Sequence, residues 1–342
     1  MKILVGMSGG FDSTYAARKL INLGHTVEGA VLIMHGHTEC ESARLAAKSL
    51  GITRHEIDCR GLFSRITENF VSEYSNCRTP NPCVICNAEV KLFALAEYAK
   101  AHGFEKIATG HYARIVSYTD RGVDRVALAS ARDVRKDQSY MLYRVPTEIL
   151  SMLLLPLAEE EKAALRSDES LADMHAFDKG DSLDVCFIPD GDYAAYIEAR
   201  TGGFPEGNFI DGEGNVLGRH KGVIHYTVGQ RKGLGISAKS RLYVSKIDKK
   251  LNTVTLLDTP PTKNLVELSG CVVTALEPVR EERKLCVTAR LRYQGKPVGA
   301  EATLRPDGTA TLILNEPVFP VTPGQSAVLY DGDTVLFGGF ID

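Results

Sequence analysis

The 342-residue sequence predicts an α/β protein: a doubly wound parallel sheet, then a small mixed domain, then a C-terminal β-barrel. Three observations predict it. Short apolar, β-branched runs alternate with helical segments as far as Thr109; this alternation then gives way to an acidic helix and Gly-rich turns; beyond residue 223, strand-like runs alternate with tight turns. Hydrophobic residues at 44% and charged residues at 24% exclude a largely disordered or collagen-like chain.

Residues 2–6 form an apolar strand, residues 6–13 a Gly/Ser loop, and residues 15–21 have helical character. Residues 27–33 predict a second strand, 41–50 a helix stopped by Gly51, 56–59 a third strand and 62–74 another helix. The longest predicted helix is 87–102, with Val90, Phe93, Ala94 and Tyr98 near one face and Gly103 as its stop. Residues 106–109 then resume the sheet, and the first domain is expected over residues 1–148. The second, 149–222, holds an acidic helix at 159–166, a loop carrying Cys186, a helix at 193–200 and a Gly-rich turn at 211–215. In the third, 223–342, strands at 242–247, 253–257, 272–276, 285–293 and 300–304 are divided by turns, as a barrel requires.

No apolar run approaches the roughly 18 residues of a membrane span, and the strand at 2–6 meets its Gly/Ser turn too early for a signal peptide. A cytoplasmic protein with no membrane partner is expected. Eight Cys in such a chain point to free thiols, metal ligation or redox chemistry rather than structural disulfides. The net charge of −3 argues against nonspecific coating of nucleic acid. Yet residues 219–250 carry nine Lys or Arg against the single acid Asp248, a local +8 that suits either a polyanion site or a solvated basic face.

Between strand and helix, Ser8-Gly9-Gly10-Phe11-Asp12-Ser13 lets backbone approach a ligand and exposes helix N–H groups to an anion. The loop lacks the Gly-Lys-Ser/Thr of a Walker motif and the spacing of a dinucleotide fingerprint. It resembles the S-G-G-x-D-S loop of the PP-loop ATP pyrophosphatases, in which Ser8, Gly9, Gly10 and Ser13 would supply donors and Asp12 would be available to Mg²⁺. Thr79-Pro80-Asn81-Pro82-Cys83-Val84-Ile85-Cys86-Asn87 places a C-x-x-C pair at the start of the long helix, where the dipole favours a thiolate. No second C-x-x-C exists to complete a zinc knuckle. Cys59, Cys271 and Cys286 lie on apolar strand-like segments and are expected to be buried and inert. Spacing alone does not say that Cys186 meets the C-x-x-C pair. Gly110-His111-Tyr112-Ala113-Arg114 falls at the carboxyl edge where open parallel sheets bind ligands, and Lys136-Asp137-Gln138-Ser139-Tyr140 is a polar cluster in a loop.

Taken in order, these strings, with Val185-Cys186-Phe187-Ile188, Tyr226-Thr227-Val228-Gly229-Gln230-Arg231-Lys232-Gly233-Leu234-Gly235 and the ending Pro323-Gly324-Gln325, resemble the bacterial tRNA-specific 2-thiouridylases over essentially the whole chain. The resemblance implies three parts: a PP-loop adenylating domain, a central domain carrying the second catalytic Cys, and a tRNA-contacting barrel. It implies ATP-dependent replacement of O2 of a wobble uridine by sulfur through an adenylated uridine. Cys186 would carry a persulfide from a sulfur-donor protein (a cysteine desulfurase or relay protein), and Cys86 would be the paired cysteine that forms a disulfide with it. Gly6, Met7, Ser8, Gly9, Gly10, Phe11, Asp12, Ser13, Leu32 and Gly110 would bind ATP. Asn81, Pro82, Cys83, Lys136, Asp137, Gln138, Arg292 and Tyr293 would meet the tRNA anticodon loop, with a flipped-out base.

Cys83 stands where many members carry Asp, Phe11 replaces a smaller residue, and Cys77 sits where Gly is common. Cys83, Cys86 and Cys186 leave open a four-iron four-sulfur cluster whose free iron would take hydrosulfide from free sulfide. A PP-loop sulfurtransferase acting on another substrate, and an RNA- or nucleotide-binding module without turnover, are the competing functions.

Overall fold

The computed structural model describes all residues except 37, 39, 170, 172, 173, 175–184 and 239. The chain opens as β1 (Lys2–Gly6), α1 (Phe11–Asn22), β2 (Thr26–Ile33), α2 (Cys40–Ser49), β3 (Arg54–Asp58) and α3 (Arg60–Ser75). It continues through α4 (Pro82–Cys86), a π-helical turn (Asn87–Lys91), α5 (Leu92–Ala101) and β4 (Lys106–Ala108). Among the described residues β3-β2-β1-β4 run parallel, and β7, defined below, adds at the far edge. The sheet is apolar on both faces, as a strand covered by helices must be: Ile3, Leu4 and Val5 are all fully buried. α2 packs through the small residues Ala43, Ala46 and Ala47. Where a single helix is expected over 87–102, the structure has three pieces, because the turn after Cys86 widens to i→i+5 hydrogen bonding. Such turns break the 3.6-residue period locally and leave no mark in the apolar pattern.

Next come the hairpin β5 (Arg114–Asp120) and β6 (Val123–Ala129), the short α6 (Ser139–Leu142) and α7 (Thr147–Met152), β7 (Leu153–Leu154), α8 (Lys162–Ser167) and α9 (Tyr193–Thr201). The hairpin leaves the parallel sheet and attaches to the C-terminal barrel through the bridge Thr334↔Ala129. A bidentate pair, Arg283 to Asp120 at 2.9 Å on each oxygen, and the Arg114–Asp333 ion pair secure it there.

β8 (Gly207–Ile210), β9 (Val216–His220), β10 (Tyr243–Asp248) and β11 (Thr253–Leu257) make one four-stranded sheet in the order β10-β11-β8-β9. Residues 222 and 223 therefore lie between two strands of a single sheet. β12 (Lys263–Val273), β13 (Arg283–Arg290), β14 (Val298–Leu304), β15 (Ala310–Val318), β16 (Ser326–Asp331) and β17 (Thr334–Ile341) close into a six-stranded antiparallel barrel through the β12–β17 pairing. Alternation fills it with Val266, Leu268, Ala302, Leu312, Leu329 and Phe337. β13 stops at Arg290, so 291–294 is a turn, with Gln294 at φ +56°, rather than the end of a strand. A second apolar core runs without interruption from Leu4 and Leu95 through Tyr140 and Tyr143 to Val328 and Tyr330, fusing parallel sheet and barrel.

Candidate functional site

The loop after β1 is shaped by close approach. Gly9 has φ +75°, and a Cβ there would lie 2.4 Å from Ala43 N, so only glycine fits against α2. A Cβ on Gly110 would lie 2.7 Å from the Asp12 carbonyl carbon, and one on Gly6 2.9 Å from Leu95 Cδ1. Within the loop, Ser8 N donates to Ser13 Oγ at 3.2 Å and Ser13 Oγ to Gly10 O at 3.0 Å. Met7 and Phe11 are buried; the Met7 N–H donates to Ala30 O, and the Phe11 ring stacks on Tyr15. Leu32 is half-buried on β2, where it packs against both the central core and the cysteine-bearing cluster.

Both Asp12 oxygens are engaged. Tyr112 donates its hydroxyl to Oδ1 at 3.1 Å, and Lys162 Nζ donates to Oδ2 at 2.7 Å from a side chain 7% exposed. Burial and the Asp12 charge raise the Tyr112 hydroxyl well above its usual range, so it remains a donor.

The cysteines come together although a hundred residues separate them. Pro82 opens α4 as its first residue behind Asn81, placing Cys83 half-buried and Cys86 buried. Cys86 shares one apolar cluster with Phe63, Ile66 and Phe70 of α3 and with Val185, Phe187 and Ile188, the neighbours of Cys186. Phe187 meets Phe70 edge-on at 5.3 Å, which seats the Cys186 loop on α3; its upstream residues 182–184 lie outside the described residues. Cys83, Cys86 and Cys186 are free thiols within electrostatic reach of one another.

The expected lowering of the C-x-x-C thiols does not hold for Cys86. Burial pushes it up to about 12, because α4 is only five residues long and Cys86 sits at its far end, where no N-terminal field offsets desolvation. Burial also raises Cys186, although its residue is exposed at the surface. Cys59 is buried as expected and pushed to about 11, whereas Cys286 is exposed on β13. Among the described residues no group of three or more His, Cys, Asp or Glu is placed to hold a metal ion.

Lys91 ends the π turn, and burial of its ammonium is outweighed by the charges of Cys86, Cys83 and Cys186, which raise it. Burial of His111, and secondarily the Lys91 charge, hold its imidazole down at about 3, leaving it neutral and bonded to Thr109 Oγ1 at 2.8 Å. Neither Lys91 nor Lys162 stands out in the sequence, since each is one lysine on an amphipathic helix.

The turn before α4 is gripped by the barrel end. Thr79 N donates to Pro323 O at 2.8 Å, Gln325 Nε2 to Thr79 O at 2.8 Å, and Arg78 Nη2 to Ile341 O at 2.9 Å. Asn81 Nδ2 reaches Met141 Sδ at 3.6 Å. Lys136 is half-buried, whereas Asp137 is buried and accepts from Ala131 N, Ser139 N, Ser139 Oγ and Arg290 Nη1. Gln138 exchanges two bonds with the Tyr112 backbone. Arg292 is exposed in the turn after β13, and Tyr293 packs on Tyr140 at 6.0 Å. Arg219, Lys221, Arg231, Lys232, Arg241, Lys246, Lys249 and Lys250 are all exposed, and Lys239 lies outside the described residues. Arg231 and Arg241 flank a shallow depression of about 330 Å³.

A family model described as the tRNA methyl transferase HUP domain matches residues 1–190. The tRNA methyl transferase PRC-barrel domain matches 195–258, and the aminomethyltransferase beta-barrel domain 270–341. The chain is 40% identical to a tRNA-specific 2-thiouridylase MnmA from Treponema denticola, over 100% of this chain and 98% of that protein. It is 38% identical to the protein of the same name from Acetivibrio thermocellus, over 99% of each, and 37% identical to that from Clostridium beijerinckii, over 100% and 98%. None of the described helices is long and apolar enough to cross a membrane.

Proposed function

Because the chain belongs to the tRNA-specific 2-thiouridylase family of tRNA sulfurtransferases, we propose that it replaces O2 of a wobble uridine in the tRNA anticodon loop by sulfur, activating the base as an adenylate. ATP with Mg²⁺ is what a PP-loop enzyme of this family takes. The uridine oxygen is a poor leaving group, so O2 attacks the α-phosphorus and the bond to pyrophosphate breaks. The loop of residues 6–13, with Leu32 and Gly110 beside it, binds the nucleotide through backbone N–H groups and the start of α1. Asp12 would hold Mg²⁺ with the lone pairs left free by Tyr112 and Lys162, and the ion would neutralise charge on the departing pyrophosphate.

Sulfur arrives as a persulfide on Cys186, passed from a donor protein. Its terminal sulfur attacks C2, AMP leaves, and Cys86 attacks Cys186 Sγ; the S–S bond breaks toward the base, leaving 2-thiouridine and a Cys86–Cys186 disulfide for an external thiol to reduce. The observation that carries this reading is the meeting of Cys86 and Cys186 across a hundred residues, the exposed thiol outermost and the buried one behind it. Asn81, Pro82 and Cys83 would face the base. Lys136, Arg292 and the exposed basic residues of 219–250 would meet phosphates, while Asp137, Gln138 and Tyr293 would shape the surface from inside.

Incubating the protein with unmodified tRNA, Mg-ATP and a persulfide donor, with nucleoside mass spectrometry as readout, tests the reading. We expect 2-thiouridine from the wild type and none from Cys186→Ala or Cys86→Ala. Full thiolation by Cys186→Ala would overturn the sulfur path, and no thiolation by the wild type would point to a different substrate.

A further inference from the structure

The loop that leads into β10 is pinned at its root by one side chain. Gln230 Oε1 accepts from Thr227 N at 3.0 Å, and its Nε2 donates to Lys232 O at 3.0 Å. Gly229 N donates to Val244 O at 2.8 Å and Val244 N to Gln230 O at 2.9 Å, which stitches the same root to β10. Further on, Leu234 and Ile236 turn into the apolar core of the four-stranded sheet. Gly233 at φ +75° and Gly235 at φ +69° flank Leu234, whose own φ is not positive. A Cβ on Gly235 would meet nothing within 4 Å, and one on Gly233 only Gln230 Nε2 at 3.8 Å, so these glycines serve the backbone conformation rather than close packing. Alternation of this kind turns neighbouring N–H groups to one side, an arrangement that cradles anions.

This loop encloses the depression of about 330 Å³, which Arg231, Arg241, Ser240 and the two glycines line together with apolar residues and no Asp or Glu. Elsewhere guanidiniums find acids, as Arg44 does in Glu41, Arg60 in Asp58 and Arg78 in Glu73. Among the described residues Arg231 and Arg241 have neither an ion pair nor a hydrogen bond. Two like charges in one hollow with no counter-ion repel each other and create a positive potential that a concave surface focuses. Guanidinium forks, a hydroxyl and N–H groups are the donor set that holds a phosphate. The root also braces this hollow against the sulfur centre. Thr227 Oγ1 lies 3.4 Å from Thr79 Oγ1 in the turn before α4, Thr322 Oγ1 donates to Val228 O at 3.2 Å, and a Cβ on Gly229 would lie 2.5 Å from Pro320 Cβ.

We propose that this depression seats one backbone phosphate of the tRNA between the Arg231 and Arg241 guanidiniums, and that the Thr227–Thr79 contact holds it in fixed register with the turn facing the target base. The inference rests on the tRNA reading above and deepens it: among the exposed basic residues of 219–250, these two form a shaped site.

The test is filter binding of unmodified tRNA to the full-length protein across a series of KCl concentrations. Arg231→Gln with Arg241→Gln should weaken binding about tenfold at low salt and make the slope of log Kd against log[KCl] shallower by about 1, the loss of one phosphate contact. Arg231→Lys with Arg241→Lys keeps both charges and should keep the wild-type slope, which a merely structural role for the arginines would not require. Lys48→Gln with Lys100→Gln removes the same charge from the last turns of α2 and α5, at the sheet edge opposite the loop after β1, and should stay within about threefold of wild type. Binding and slope in the Arg→Gln pair equal to those of the Lys48/Lys100 pair would overturn the proposal, as would a slope in the Arg→Lys pair as shallow as in the Arg→Gln pair. The readout needs no turnover: a wild type that binds tRNA yet forms no 2-thiouridine would defeat the thiolation reading and leave the phosphate seat standing.

Discussion

Lys162 Nζ lies 2.7 Å from Asp12 Oδ2, a contact that ties the loop after β1 to a helix 150 residues away. Lys162 is itself anchored, its backbone N–H donating to the buried carboxylate of Asp133 at 3.1 Å. A positive charge thus sits behind the loop at the place where pyrophosphate would leave. Lys162→Met is expected to lower kcat/KM for tRNA-dependent pyrophosphate release by about 10²-fold, the usual loss when one preorganised charge is removed. An unchanged rate would reduce Lys162 to a strut for Asp12.

Asp137 joins the first domain to the barrel. Its carboxylate, 1% exposed, takes Arg290 Nη1 at 2.6 Å together with two backbone N–H groups and Ser139 Oγ. Removing it strands Arg290 against the core, so Asp137→Ala should cost about 3–5 kcal/mol in urea unfolding. Asp137→Asn keeps the shape and some of the bonds and should cost less. A loss below about 1 kcal/mol for Asp137→Ala would show that Arg290 finds water instead.

The raised thiols fix how stability varies with alkali. Cys59 and Cys86 hold their protons to about 11 and about 12, above the unfolded thiol, so burial favours the neutral form. Below the unfolded value of about 8.5 both states are protonated and stability is flat; above it the unfolded chain sheds protons first. Stability should therefore fall between pH 9 and 11, by up to about 1.4 kcal/mol per pH unit for each thiol. Cys59→Ala, measured by urea midpoints across that range, should lose its share of the slope whatever its baseline stability.

Fold class was readable because the parallel sheet and the barrel each impose a clean period. Strands 253–257 and 26–33 sit within a residue or so of where alternation and β-branching place them. Other features depend on contacts that no local pattern encodes. The hairpin at 114–129 follows the parallel sheet in sequence yet joins the barrel, held by Arg283 on Asp120. Gly110 was legible as a strand-end residue, but its reason, a backbone 2.7 Å away, is tertiary. Cys83, Cys86 and Cys186 were legible as residues, but their convergence was not, since it depends on how α3 seats the second loop.

Gly110 offers the sharpest test of the loop's shape. A Cβ there would meet Asp12 C at 2.7 Å, Ser13 N at 2.8 Å and Asp12 O at 2.9 Å. All three are backbone atoms at the start of α1, so no side chain can swing aside, and the loop itself must move. Its opposite wall cannot yield, because Gly9 already touches Ala43 and Ser42 of α2. Gly110→Ala should therefore displace the N–H groups offered to phosphate while leaving core and barrel intact. We expect KM for ATP to rise about tenfold or more, with a stability loss of about 1–3 kcal/mol from overpacking. Gly103→Ala, at a helix end where a Cβ meets nothing within 4 Å, is the control: its φ of +70° strains the backbone, so it should lose stability yet keep its KM. An unchanged KM in Gly110→Ala would mean that ATP does not rest on this loop.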